Sequence, residues 1–129
     1  MRALIVDDVE MNCDMLDMFL DGHATTVLAG SGEEALTIVE EALRIGSYFD
    51  LICMDIGLPG ISGHEALKLI REMEATHGAT RAKVFMVTAS SSPDDMMDAL
   101  VVGGCDDYVT KPLMRQNFFN LLAKYGLLS

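Results

Sequence analysis

Short apolar runs alternate along the chain with longer segments whose apolar residues recur at helical spacing. The runs are Ala3–Val6, Thr25–Ala29, Leu51–Met54, Val84–Val87 and the shorter Tyr108–Val109. Several are apolar without interruption, as expected of strands covered on both faces of a parallel sheet. In the longer segments, Leu16, Phe19 and Leu20 share one helical face. So do Ala35, Leu36, Val39 and Leu43, then Ala66, Leu67, Ile70 and Met73. Met97, Leu100 and Val101 follow, and finally Phe118, Leu121, Leu122 and Tyr125. Ser31-Gly32-Glu33-Glu34 and Ser62-Gly63-His64-Glu65 read as capping boxes at helix starts. Ser92-Pro93-Asp94-Asp95 sets Ser at an N-cap and Pro at the first helical position. Gly57, Pro59 and Gly60 close the third strand, and Gly103-Gly104 ends the fourth helix. The order βαβαβαβαβα fills the whole length and predicts an α/β fold, an open parallel sheet with helices on both faces. No repeat, linker or low-complexity tract leaves material for a second domain.

In such a sheet, ligands bind outside the carboxyl ends of the strands. Strand one ends in Asp7 and Asp8, strand three in Asp55 and strand four in Thr88, while strand five is followed by Lys111 and Pro112. Only strand two lacks a charged or hydroxyl terminus, which suits an edge position. Taken singly, each residue has an ordinary explanation: Asp8 as a helix N-cap, Asp55 as a turn residue, Thr88 as strand chemistry, Lys111 as a solvated lysine. Together they put three carboxylates, a hydroxyl and an ammonium on one rim. Three gathered carboxylates repel one another, and a hard divalent cation, Mg²⁺ by choice, relieves that. A cation beside a carboxylate, with Lys opposite and a hydroxyl near, is an arrangement for binding a phosphoryl group, with the carboxylate available as nucleophile.

Charge and cysteine usage narrow the partners. Over 129 residues the formal net charge is −11, which argues against direct nucleic-acid binding and against an anionic membrane. The acid is uneven: residues 1–60 carry twelve acids and two bases, residues 61–129 eight acids and seven bases. Cys13, Cys53 and Cys105 are odd in number, widely spaced and outside any metal-ligand pattern. Cys53, inside an apolar run, reads as a buried reduced thiol, so a cytoplasmic location is expected. The chain opens directly into a short strand, which is neither a signal peptide nor a membrane span.

These residues resemble the receiver domain of two-component response regulators, of the single-domain chemotaxis type. The resemblance covers essentially the whole chain. It is carried by Asp7-Asp8, by Met54-Asp55 with Leu58-Pro59 and Gly63, by Thr88-Ala89, and by Tyr108 with Lys111-Pro112. The spacings of 48 from Asp7 to Asp55, 33 from Asp55 to Thr88 and 23 from Thr88 to Lys111 fit that family. The resemblance implies a flavodoxin-like (βα)5 fold with strand order 2-1-3-4-5, as a single receiver domain over residues 1–129 without an output domain. It implies Asp55 as phosphoacceptor and a Mg²⁺ site made by Asp7, Asp8, Asp55 and the carbonyl of Gly57. Lys111 would pair with the phosphoryl group, Thr88 would swing to it, Tyr108 would turn inward with Thr88, and the Lys111–Pro112 bond would be cis. The implied partners are a sensor histidine kinase or histidine phosphotransfer protein and a downstream target protein, with the chain a monomer or weak homodimer. The implied role is a signalling switch rather than a turnover enzyme.

The rival reading is a small Mg²⁺-dependent phosphatase with an aspartyl nucleophile. It wants a nucleophile-x-Asp pair after strand one, which Asp8-Val9-Glu10 does not supply. A flavin carrier on the same fold lacks a phosphate cradle in the Asp7–Met11 turn, and a degenerate docking module would not need the complete set. Gly57 and Ser90 are small where relatives vary. Thr76–Lys83 is expected to be a surface loop, and His23, His64 and His77 surface residues. The acidic residues of helix one, Asp14 and Asp17 among them, suit either a basic phosphodonor or a solvated face. Met96 and Met97 are candidates for an adaptable docking surface.

Overall fold

The computed structural model describes residues 1–89, 92–102 and 104–128. Five strands alternate with five helices: β1 (Arg2–Val6), α1 (Glu10–Leu20), β2 (Thr25–Ala29), α2 (Gly32–Ile45), β3 (Leu51–Met54), α3 (Gly63–His77), β4 (Lys83–Thr88), α4 (Pro93–Met97), β5 (Asp107–Thr110) and α5 (Arg115–Lys124). A π-helical turn, Asp98–Val102, continues α4. All strand pairs are parallel, in the order β2-β1-β3-β4-β5. This is the sheet order that the resemblance implies.

The unbroken apolar runs have the expected consequence. β3 is buried along its whole length, and β1 and β4 at every position but the first. Alternate residues then serve opposite faces. Leu4 and Val6 pack with α2 and α3 through Val39, Leu43, Leu67 and Ile70. Ala3 and Ile5 pack with α1 and α5 through Leu16, Leu20, Phe118 and Leu122. The edge strand β2 carries exposed and half-buried residues until Ala29.

The serine caps form, but among the described residues the reciprocal glutamate bonds of the expected capping boxes do not. Ser31, Ser62 and Ser92 each accept a hydrogen bond from the backbone N–H three residues on, with Pro93 at the start of α4. The Glu34 carboxylate reaches back to Gly30 N, one residue before the cap. Asp8 is not a cap: Val9 holds that place in α1, without a side-chain bond.

Three expectations are corrected. Met97, Leu100 and Val101 do not face the core; they are 60%, 42% and 69% exposed, whereas Ala99 is buried. The cause is the π-helical turn, whose wider i→i+5 winding breaks the 3.6-residue phase on which the shared face was based. The segment after helix three is shorter than Thr76–Lys83, because α3 runs through His77 and Ala82 is buried. His64 is half-buried rather than a surface residue, with Nε2 3.3 Å from Asp95 Oδ1. His23 and His77 are exposed as expected. Ser90 and Gly103, and the chain end at Ser129, lie outside the described residues.

Candidate functional site

Strand register assembles the rim. Val6 stands opposite Met54, so the next residues, Asp7 and Asp55, emerge side by side from neighbouring strands. Their backbones stay laddered: Asp7 N donates to Ala29 O and Asp55 N to Val6 O. Thr88 ends β4 opposite Thr110, and Lys111 N donates to Thr88 O at 2.8 Å, which places Lys111 across the rim from the carboxylates. The Lys111–Pro112 peptide is cis. Gly63 opens α3 against the Asp55 backbone so closely that a Cβ there would lie 2.1 Å from the Asp55 carbonyl oxygen.

The polar geometry is dense. Asp7 and Asp55 are buried, Thr88 is buried, and Asp8 is exposed. Asp7 Oδ1 accepts from Val9 N at 2.9 Å, and its Oδ2 accepts from Lys111 Nζ at 2.7 Å. Asp55 Oδ1 accepts from Gly57 N at 3.2 Å, and its Oδ2 accepts from the same Nζ at 3.1 Å. Burial by itself would lower the Lys111 pKa, but the hydrogen bonds from its ammonium to Asp7 and Asp55 outweigh it. The net result is a lysine held above its ordinary value. Carboxylate oxygens of Asp7, Asp8 and Asp55 lie within 4.8 Å of one another. Hard oxygen donors with one exposed carboxylate for access fit a partly hydrated divalent cation of the Mg²⁺ type. Gly57, exposed in the turn after Asp55, adjoins this cluster. Tyr108 is half-buried on β5 beside Met86 and packs against the core on the α2–α3 side of the sheet. Six of the seven residues singled out from the sequence therefore lie at the same end of the sheet, and Tyr108 stands on β5 two positions short of it.

Several features carried no sequence signal. The buried Cys13 Sγ donates to Asp7 O at 3.4 Å; its thiol is pushed up by burial first and by the Asp7 charge second. A cavity of about 330 Å³ opens beside Asp7 and Lys111, lined also by Asn12, Met15, Val87 and Leu113. Asp17 Oδ1 accepts from Thr26 Oγ1, so this α1 carboxylate ties the helix to β2 instead of standing free on an acidic face. These contacts join residues that no local pattern links.

Comparison with known proteins agrees with the geometry. The family model described as response regulator receiver domain matches residues 3–123. A transcriptional regulatory protein of Bacillus subtilis, YvrH, is 39% identical over 111 residues, covering 84% of this chain and 42% of that protein. The chain thus spans less than half the length of that curated relative, and 13% of a sensor histidine kinase, GacS, of Pseudomonas protegens. Among solved structures, a co-crystal holds the Saccharomyces cerevisiae histidine phosphotransfer signaling protein Ypd1 with the receiver domain of its downstream response regulator Ssk1. It matches with a TM-score of 0.84 and 34% identity, over 98% of this chain and 88% of that one. A CheY-like receiver domain protein from Methanospirillum hungatei matches with a TM-score of 0.81 and 27% identity, over 98% and 92% of the two chains. The chain belongs to the response regulator receiver domain family. Among the described residues, no helix is long and apolar enough to cross a membrane.

Proposed function

We propose that this receiver domain works as a phosphorylation switch with Asp55 as the phosphoacceptor. The donor is the phosphohistidine of a sensor histidine kinase or histidine phosphotransfer protein. An Asp55 carboxylate oxygen attacks phosphorus, the P–N bond to the donor imidazole breaks, and the nitrogen leaves with that electron pair. The observation that carries this reading is the single ammonium of Lys111 bridging Asp7 and Asp55 within a cluster of three carboxylates. Asp7, Asp8, Asp55 and the Gly57 carbonyl are the residues to hold Mg²⁺, which when bound neutralises charge on the carboxylates and the incoming phosphoryl oxygens.

This chain's own residues do the rest. Lys111 stays charged and pairs with the phosphoryl group, whose extra negative charge replaces that of the free carboxylate. The buried Thr88 hydroxyl turns to a phosphoryl oxygen, and Tyr108 follows into the space released. The surface of α4, β5 and α5 is reshaped, and the exposed Met97, Leu100 and Val101 give it an apolar patch for a downstream target protein. The phosphoryl group must favour the active arrangement by a few kcal/mol to shift the population decisively. Three free, buried thiols suit a reducing, cytoplasmic setting. Family membership favours this switch over the phosphatase alternative.

The test is phosphoryl transfer from a phosphohistidine donor, or from a small acyl phosphate, with and without Mg²⁺. One phosphoryl group per chain is expected by intact mass, dependent on Mg²⁺ and absent in Asp55→Asn. Unchanged labelling of that variant overturns the assignment.

A further inference from the structure

Helix α4 is lightly anchored. None of the side chains of Pro93–Met97 is buried, while Ala99, in the π-helical turn that follows, is set in the core. A polar contact reaches it from the neighbouring helix: His64 Nε2, in the first turn of α3, lies 3.3 Å from Asp95 Oδ1, in the first turn of α4. The two side chains are 22% and 35% exposed, so the pair is partly shielded from water. His64 Nδ1 is buried and has no hydrogen-bond partner among the described residues. The tautomer protonated on Nε2 therefore donates to Asp95 and leaves the buried nitrogen as a bare acceptor. The ring is rooted in the site itself. Its neighbour Gly63 packs against the Asp55 carbonyl, and Gly63 N donates to Ile56 O at 3.0 Å. Contacts thus run without a gap from the Asp55 backbone through Gly63 and His64 to Asp95 on α4.

We propose that the His64–Asp95 pair is a latch that holds α4 in its resting position, making His64 a positioning residue for the switch. The proposal rests on the reading that the phosphoryl state reshapes the α4 surface. A contact made in the resting arrangement and lost in the active one biases the equilibrium by its own free energy. For a partly exposed pair, that bias reaches up to about fivefold.

Two substitutions separate the latch from general packing. The amide nitrogen of His64→Gln reaches the place of Nε2 and keeps a donor for Asp95; that of His64→Asn reaches only the place of Nδ1 and loses it. Amide hydrogen exchange over residues 93–102 is measured without any phosphoryl mimic. It is expected to speed up about threefold in His64→Asn, to stay at the wild-type rate in His64→Gln, and to be unchanged elsewhere in the chain. Beryllofluoride with Mg²⁺ is then titrated and followed by amide NMR shifts, where His64→Asn is expected to bind about threefold more tightly and His64→Gln as wild type. Unaltered exchange in His64→Asn overturns the latch. Faster exchange with unaltered affinity for the mimic overturns its coupling to the switch. A wild-type protein that gives no response to the mimic overturns the underlying reading and the coupling with it, while the exchange data still decide whether the latch exists.

Discussion

The two ends of the sheet both gather carboxylates around a cation, and they are built on opposite terms. At the end where β4 and β5 begin, the Arg71 guanidinium donates to Glu74 Oε1 and Ala82 O at 2.8 Å each. It also donates to Gly104 O at 3.1 and 3.0 Å and to Asp106 Oδ2 at 3.2 Å. The carboxylates are satisfied in turn, Glu74 Oε2 by Ala82 N and Asp106 Oδ2 by Val84 N. At the end where the strands finish, three carboxylates face one ammonium, and Asp8 is left to solvent. The first cluster is a closed network that clamps α3 to the entries of two strands. The second keeps negative charge in excess, which disfavours the fold there and suits the capture of a cation and a phosphoryl group. The rim's Asp7 and Asp55 share one ammonium, while the carboxylates at the other end are bonded to Arg71 and to backbone N–H groups.

The comparison is broken most severely at Arg71. Arg71→Ala leaves the buried Glu74 without its cation, and a loss of about 3–5 kcal/mol in unfolding free energy is expected by urea titration. Next comes the metal. Mg²⁺ at about 100 times its dissociation constant is expected to add about 2.7 kcal/mol to the wild-type protein. Thermal melts should find that gain much reduced in Asp55→Asn and retained in Arg71→Ala, because the bonds of Arg71 go to Glu74, Ala82, Gly104 and Asp106 and not to the rim. A smaller effect of opposite sign is expected from Asp8→Asn without Mg²⁺. Removing one of three repelling charges should stabilise the fold by about 0.5–1 kcal/mol in the same urea assay. If Asp8→Asn destabilises instead, the rim is not the strained end.

The smallest effect tests proton linkage near the closed end. The Tyr125 hydroxyl donates to Asp106 O at 2.8 Å and to Asp107 Oδ2 at 2.9 Å. Burial first, and the bond to Asp107 second, push its pKa from 10.0 up to about 12. Below pH 10 both folded and unfolded chains keep the proton, and the contribution is complete. Above it the unfolded chain releases the proton first, so stability falls as pH rises towards about 12. Denaturation of Tyr125→Phe across this range should give a flatter decline than wild type.

Legibility followed the range of the interactions. Asp7, Asp8, Asp55, Thr88 and Lys111 were readable because each sits just past an apolar run, and a parallel sheet delivers all such positions to one edge. The serine caps were readable because their bonds span three residues. Arg71, by contrast, reaches residues 11, 33 and 35 positions away. His64 meets Asp95 across 31, and Asp17 meets Thr26 across 9 with a turn between them. The outward turn of Met97, Leu100 and Val101 escaped prediction for a different reason: a periodicity argument assumes a uniform winding, and Asp98–Val102 abandons it.

The sequence by itself determined the alternation of strands and helices, the parallel sheet, and the rim on which the acidic and basic groups meet. Those follow from local periodicity and from the two-sided burial that continuous apolar strands require. Only the tertiary structure decided which carboxylates share the Lys111 ammonium, which are absorbed by Arg71, and that His64 meets Asp95 on α4. Side-chain pairing between elements depends on helix docking at the scale of single ångströms, and such distances are set by packing rather than by any pattern along the chain.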